Sequence, residues 1–255
     1  MKIHDVLTPS FRQLRRQLRH QLGHDRPRDQ RPMWQQRLSA DSDFCRAMVG
    51  CGYLTHEQMQ RAALRYRLGR SRDGGIIFWQ IDQLEQFYDG KIMYYRPDGH
   101  RDHERHPQWV VNQLKRHYLQ GCDDLAAGIP SVHCLFGTHL LAHTEDTAVC
   151  VVEAEKTAVI LSEHYPQYLW LAAGGLYELT AQKLFPLRGR KVILFPDTDP
   201  EGKAYGTWYR VMLEAQRLLG QRIHLSSLLE LHATADQKQR KIDLVDFLFE
   251  HGSHE

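Results

Sequence analysis

From Ala148 onward, short apolar runs alternate with longer amphipathic stretches, and no other feature limits the possible folds so sharply. The runs at 148–152, 168–172 and 191–195 are dominated by Val, Leu and Ile and are too short for helices. Between them the spacing predicts helices over 155–164 and 177–185. A long helix is expected from Pro200 to about Leu219, because proline suits a first helical turn. A further strand over Arg222–Leu225 and a helix over Leu244–Phe249 close the pattern. Strands that alternate with helices build a parallel sheet covered on both faces, so the fold class is α/β.

Two of these runs end in acid. Glu153-Ala154-Glu155 follows the first, and Asp197-Thr198-Asp199 follows the third. The carboxyl edge of an open parallel sheet is where such folds bind ligands. Carboxylates gathered there repel one another unless a cation sits among them, and a hard divalent ion, Mg²⁺ or Mn²⁺, is the natural candidate. Asp197 and Asp199 are two residues apart, so in extended chain they point the same way. Such an ion suits phosphoryl chemistry, where it steadies attacking and leaving oxygens. The plainer alternative is that Asp197 caps the helix beginning near Pro200 and Glu155 caps the one after the first run.

Other chemistries lack their motifs. There is no Gly-x-x-x-x-Gly-Lys phosphate loop, no Gly-x-Gly-x-x-Gly after a strand and no Gly-x-Ser-x-Gly elbow. Five scattered cysteines include no Cys-x-x-Cys pair, which argues against a zinc ribbon and for a reducing cytoplasm, with Cys150 a buried thiol. The first residues lack a signal-peptide core, and no apolar run has the length of a membrane span. A net charge of +2 does not announce a nucleic-acid binder, but residues 1–37 hold nine Arg or Lys against three Asp.

The chain before Ala148 divides by composition. Residues 1–38 read as a basic helical arm with Phe11, Leu14, Leu18 and Leu22 on one stripe. Residues 39–70 form a small helical unit, with Ser42 or Asp43 capping one helix and Thr55 and Gln58 forming a capping box on the next. Residues 71–140 are mixed α+β. Strands over Gly75–Ile81 and Lys91–Tyr95 suggest a meander with a polar face. The loop bearing His100, His103 and His106 should be exposed, and Trp109–Tyr118 a short helix. Residues 141–255 then carry the α/β pattern.

Val151-Val152-Glu153-Ala154-Glu155, then Leu171-Ala172-Ala173-Gly174-Gly175, then Phe195-Pro196-Asp197-Thr198-Asp199-Pro200-Glu201-Gly202 resembles the toprim domain shared by bacterial primases, topoisomerases and some nucleases. Upstream, Gly52–Gly69, Gly75–Asp82, Gly90–Met93 and Leu135-Phe136-Gly137 resemble the catalytic core of DnaG-type primases. The similarity covers about residues 40–255 and is strongest in the toprim part.

The resemblance implies that Glu153 is catalytic, that Asp197 and Asp199 hold Mg²⁺ (or Mn²⁺) and that Glu155 assists. It also implies that Arg96, Arg101, Lys115, Arg116 and Lys156 contact nucleic acid or nucleotides. The expected activity is Mg²⁺-dependent nucleotidyl transfer on single-stranded DNA, in replication or transfer of a mobile element or plasmid. A helicase or template-recognition protein is an expected partner. Two departures stand out: these residues show no Cys/His pattern of the zinc-binding domain with which primases usually begin, and Ala154 stands where glycine is usual. A toprim nuclease and a catalytically degenerate accessory protein that only binds nucleic acid are the alternatives.

Overall fold

The computed structural model describes residues 39–118 and 133–252. The expected basic arm over 1–38 lies outside them. The described residues fall into two compact units, with the division between Cys134 and Leu135.

In the first unit, Ser42 caps helix α1 (Asp43–Gly50) by accepting from the Cys45 N–H at 3.2 Å. Thr55 and Gln58 close the expected capping box on α2 (His56–Arg65). Four strands follow as an antiparallel sheet in sequence order: β1 (Gly69–Arg70), β2 (Ile76–Ile81), β3 (Phe87–Met93) and β4 (Gln108–Trp109). The polar residues of this meander share a face, with Gln80 opposite Asp89 and Lys91 beside them, but that face is covered. Every residue of β2 is buried, and so are Asp89 and Lys91. Phe44 of α1 meets Phe78 edge to face at 5.5 Å between ring centres, which places α1 against one side of the sheet. Gly90 lies so close to Trp79 that a Cβ there would stand 2.5 Å from a ring carbon. The loop after β3 leaves His100, His103 and His106 exposed, as their spacing suggested. Helix α3 (Val110–Tyr118) starts at the buried Asp89, whose Oδ1 accepts from the Val111 N–H at 3.0 Å.

The second unit opens with Phe136, which forms an isolated antiparallel bridge to Ala172, and a 3₁₀ turn over Thr138–His143. Its sheet contains β5 (Val149–Val152), β6 (Leu169–Ala172), β7 (Val192–Phe195) and β8 (His224–Leu225), all parallel, in the order β6-β5-β7-β8. Helix α4 (Glu155–His164) joins β5 to β6, and α5 (Lys203–Leu219) joins β7 to β8. Short helices α6 (Leu228–His232) and α7 (Ala235–Arg240) precede α8 (Leu244–Gly252). Alternate strand residues Val149, Val151, Leu169, Leu171, Val192 and Leu194 form one core with Trp208, Met212, Ala215 and Leu219 of α5. Helices α4 and α8 contact each other through His164 and Phe249, outside that core. The parallel sheet flanked by helices matches the fold class read from the alternation.

Two boundaries differ from expectation. No α-helix forms over 177–185. A 3₁₀ helix spans Gln182–Leu187 instead, with Pro186 inside it. The helix expected from Pro200 begins at Lys203, since Gly202 takes a left-handed φ of +64° and interrupts the helical run.

Candidate functional site

Register builds the site. Val152 pairs with Ala172 on one side and with Phe195 on the other, so β5, β6 and β7 end level. Strand β6, which follows β5, lies on one side of it, and β7 crosses to the other. The gap between β5 and β7 is therefore the switch point of the sheet, where a parallel fold leaves its crevice. Glu153 leaves β5 there and the Asp197 loop leaves β7. The Asp197 N–H donates to Glu153 Oε1 at 3.2 Å, which ties the two acidic motifs together.

The electrostatics are strained. Burial, and then the charges of Asp199 and Asp243, push the Glu153 carboxyl up to about 7, against the opposing pull of the Asp197 N–H. Glu153 is only 7% exposed. The Asp197 carboxyl also lies well above the usual carboxylate range. Crowding by protein is the first cause, and repulsion from Glu153, Asp243 and Asp246 adds to it. Asp197 does keep some open surface, so this crowding falls on its carboxyl more than on the residue as a whole.

Asp199 differs. Its Oδ1 accepts from the N–H groups of Glu201 (3.0 Å) and Lys203 (3.1 Å), and its Oδ2 from that of Ala204 (2.7 Å). Partial burial works against its anion, but these three donors outweigh burial and hold its carboxyl below the ordinary Asp value. Asp199, not Asp197, is therefore the cap of the helix that follows. Glu155 is not a cap either. It is buried in the first turn of α4, after Ala154 at the N-cap, and it is not among the charges that bear most on Glu153 or Asp197.

The structure adds two acids that the motif reading missed. The Thr198 N–H donates to the Ile242 carbonyl at 3.3 Å, which draws the start of α8 to the Asp197 loop. Asp243 and Asp246 exchange backbone-to-carboxylate bonds as a reciprocal cap, with Asp246 N–H to Asp243 Oδ1 at 2.9 Å and Asp243 N–H to Asp246 Oδ2 at 3.3 Å. Thr157 donates to Asp243 Oδ2 at 2.6 Å. Lys156 Nζ stands 3.6 Å from Asp243 and 3.8 Å from Asp246, so this lysine, expected to face nucleic acid, sits within the acidic cluster. An Asp-x-x-Asp ahead of an apolar run was the available signal, a variant of the capping box.

Among the described residues, no three or more His, Cys, Asp or Glu side chains form a ready metal cage. Mg²⁺ does not require one, since it commonly takes one or two carboxylates and completes its shell with waters and phosphates. The donor set fits such an ion. Glu153 and Asp197 resist ionising together without a cation, and the buried Thr198 Oγ1 between the two aspartates has no hydrogen-bond partner among the described residues.

The remaining predicted cations lie in the first unit. Lys115 and Arg116 of α3 line an open groove of about 750 Å³ together with Arg105, His106, Trp109 and Asn112. Trp109 stacks on His133 at 3.8 Å between ring centres, and His133 Nε2 lies 3.5 Å from Asp89. Arg105 covers the Tyr94 ring and pairs with Asp73 at 2.6 Å. Arg96 and Arg101 are not part of this lining. Arg96 pairs with Asp98 at 3.1 Å, and Arg101 Nε is buried without a hydrogen-bond partner among the described residues.

Residues 42–198, more than half of the chain, match a family described as "Domain of unknown function (DUF6371)". No curated protein sequence matches the chain. Among solved structures, the chain is similar to the primase fragment of the bacteriophage T7 primase-helicase protein, at 14% identity and a TM-score of 0.45. That likeness covers 75% of this chain and 66% of the other, a little under two thirds of its length. It is also similar to a chain in a structure of the bacteriophage T7 lagging-strand DNA polymerase interacting with primase domains bound to an RNA/DNA hybrid and dTTP. Identity there is 14% and the TM-score 0.47, over 78% of this chain and 83% of the other.

Proposed function

The chain belongs to the DUF6371 family, and we propose that it is a primase-like protein of the toprim type that joins nucleotides on single-stranded DNA with Mg²⁺ (or Mn²⁺). One observation carries this reading. Glu153 and Asp197 are hydrogen-bonded across the switch point of a parallel sheet, and burial with mutual repulsion raises both carboxyls. Lys156 alone does not offset this repulsion, so the arrangement favours further positive charge.

In this reading Asp197 and Asp199 hold the ion, and Asp243 adds to the negative field. Mg²⁺ bound there would neutralise the acids and steady phosphate oxygens. Glu153, beside the ion and bonded to the Asp197 N–H, is placed to take the proton from an attacking hydroxyl. The three N–H bonds of Asp199 fix the start of α5 and so the position of the loop. Lys115, Arg116 and Arg105 give the first unit a cationic groove, and its Trp109 offers a ring to an unpaired base.

The test is to incubate the full chain with single-stranded template, nucleotides and Mg²⁺ and to separate the products by length. Short oligonucleotides should form with the native protein and vanish with Glu153→Gln and with Asp197→Asn. Shortened template in place of new product would reassign the site to a nuclease. A second reading is favoured by the engagement of Asp199 with backbone: a toprim-like centre kept as scaffold in a protein that only binds nucleic acid. Binding without any turnover would support it.

A further inference from the structure

Beside the acidic centre, a tyrosine stands exposed on a loop that is otherwise firmly held. Gly174 follows β6, and its N–H donates to the Glu153 carbonyl at 2.9 Å, so the loop starts from the catalytic candidate itself. The Glu178 N–H closes a turn onto Gly175 at 3.1 Å, and Lys183 Nζ holds the Glu178 carboxylate at 3.0 Å. Trp208, fully buried in α5, donates its Nε1–H to the Leu176 carbonyl at 3.1 Å, and Leu176 packs on the core. The loop thus turns Leu176 inward against the core and Tyr177 outward, where it is 66% exposed.

Lys203 approaches from the other acidic motif. Its N–H donates to Asp199, and its Nζ lies over the Tyr177 ring at 5.6 Å from the centre. A flat aromatic face and an ammonium are therefore anchored to both acidic motifs, one through Glu153 and one through Asp199. A nucleotide presents the matching pair, a planar base and a phosphate. Carboxylates alone would repel that phosphate, whereas Lys203 offers it a counter-charge.

We propose that Tyr177 and Lys203 form a clamp for one nucleotide unit of a single-stranded nucleic acid, with the Tyr177 ring stacking the base and Lys203 pairing with the phosphate. The proposal rests on the nucleic-acid reading above and adds to it a base-contacting residue in the second unit.

The experiment measures anisotropy of two labelled probes with the full chain in Mg²⁺: a short oligodeoxyadenylate and an abasic strand of equal length. Tyr177→Ala should weaken oligodeoxyadenylate binding about fivefold or more and leave the abasic strand unchanged. Tyr177→Trp should keep native affinity. Lys203→Gln should weaken both probes and lower the salt slope by about 0.7. If Tyr177→Ala binds both probes as the native chain does, the clamp is wrong while the nucleic-acid reading stands. If the native chain binds neither probe, that reading falls and the clamp with it. Because Tyr177 is exposed, unchanged thermal melting of its variants separates lost stacking from lost folding.

Discussion

At the scale of single residues, Glu153 sets stability against function. In the unfolded chain its carboxyl ionises near 4.5, whereas in the folded protein it holds its proton to about 7. Between those values the folded state binds more protons than the unfolded one, so stability falls as pH rises through the window. At about 1.4 kcal/mol per unit, the 4.5-to-7 shift corresponds to a cost of at most about 3.5 kcal/mol at pH 8. Glu153→Gln, which keeps an acceptor for the Asp197 N–H, should therefore raise the melting temperature at pH 8 without divalent metal and change little at pH 4. Mg²⁺ should narrow that gap by stabilising the native chain, and its affinity should rise with pH through about 7 as protons leave the site. A melting curve of Glu153→Gln at or below the native one at pH 8 would contradict the assignment. Asp199 invites a different substitution pair. Asp199→Asn keeps an acceptor for the α5 N–H groups, whereas Asp199→Ala removes it and should cost about 1–2 kcal/mol in urea unfolding. If both unfold alike, the cap is not what the residue provides.

At the scale of elements, legibility followed how local the controlling physics is. Ser42, Thr55 and Gln58 act within one helical turn, and their caps were readable. The strands β5 and β6 were readable because both faces are covered and the apolar runs are continuous, and β7 because its run is apolar throughout although one face is only half-buried. The start of α5 was misplaced because Pro200 signals a first turn, while the conformation of Gly202 and the reach of Asp199 decide where it begins. Burial of β2 on both faces depends on what packs against each side, and alternation cannot show that. Asp243 and Asp246 escaped notice because they join the site only through long-range contacts, Thr198 with Ile242 and Thr157 and Lys156 with Asp243, which bring together residues 44 or more positions apart. Two glycines test these packing arguments in opposite directions. Gly90→Ala would drive a Cβ into Trp79 and should destabilise the first unit by about 1–3 kcal/mol. Gly206→Ala, in α5 with open space around the new carbon, should stabilise by roughly 0.5–1 kcal/mol. Chemical denaturation measures both, and equal signs would undo the argument.

At the scale of the whole molecule, a net charge of +2 hides two opposed local fields. The groove of the first unit gathers Arg105, Lys115 and Arg116, while the second gathers Glu153, Asp197, Asp199, Asp243 and Asp246 around Lys156. Strand affinity and metal affinity should therefore be separable within the intact chain. Replacing Lys115 and Arg116 together by Ala removes two candidate phosphate contacts, and on a single strand each such contact contributes about 0.7 to the slope of log affinity against log salt. That variant should bind single-stranded DNA more weakly, with a slope lower by about 1.4, and keep the full Mg²⁺-induced rise in melting temperature. Asp197→Asn should lose most of the Mg²⁺ rise and keep most of the salt slope. Titrating both variants with labelled strand at several salt concentrations, alongside melts with and without Mg²⁺, reads the two quantities independently. If Lys115 and Arg116 prove silent in the salt slope, the groove is not the strand site. If Asp197→Asn leaves the Mg²⁺ rise intact, the raised carboxyls reflect burial alone and the sheet edge holds no metal.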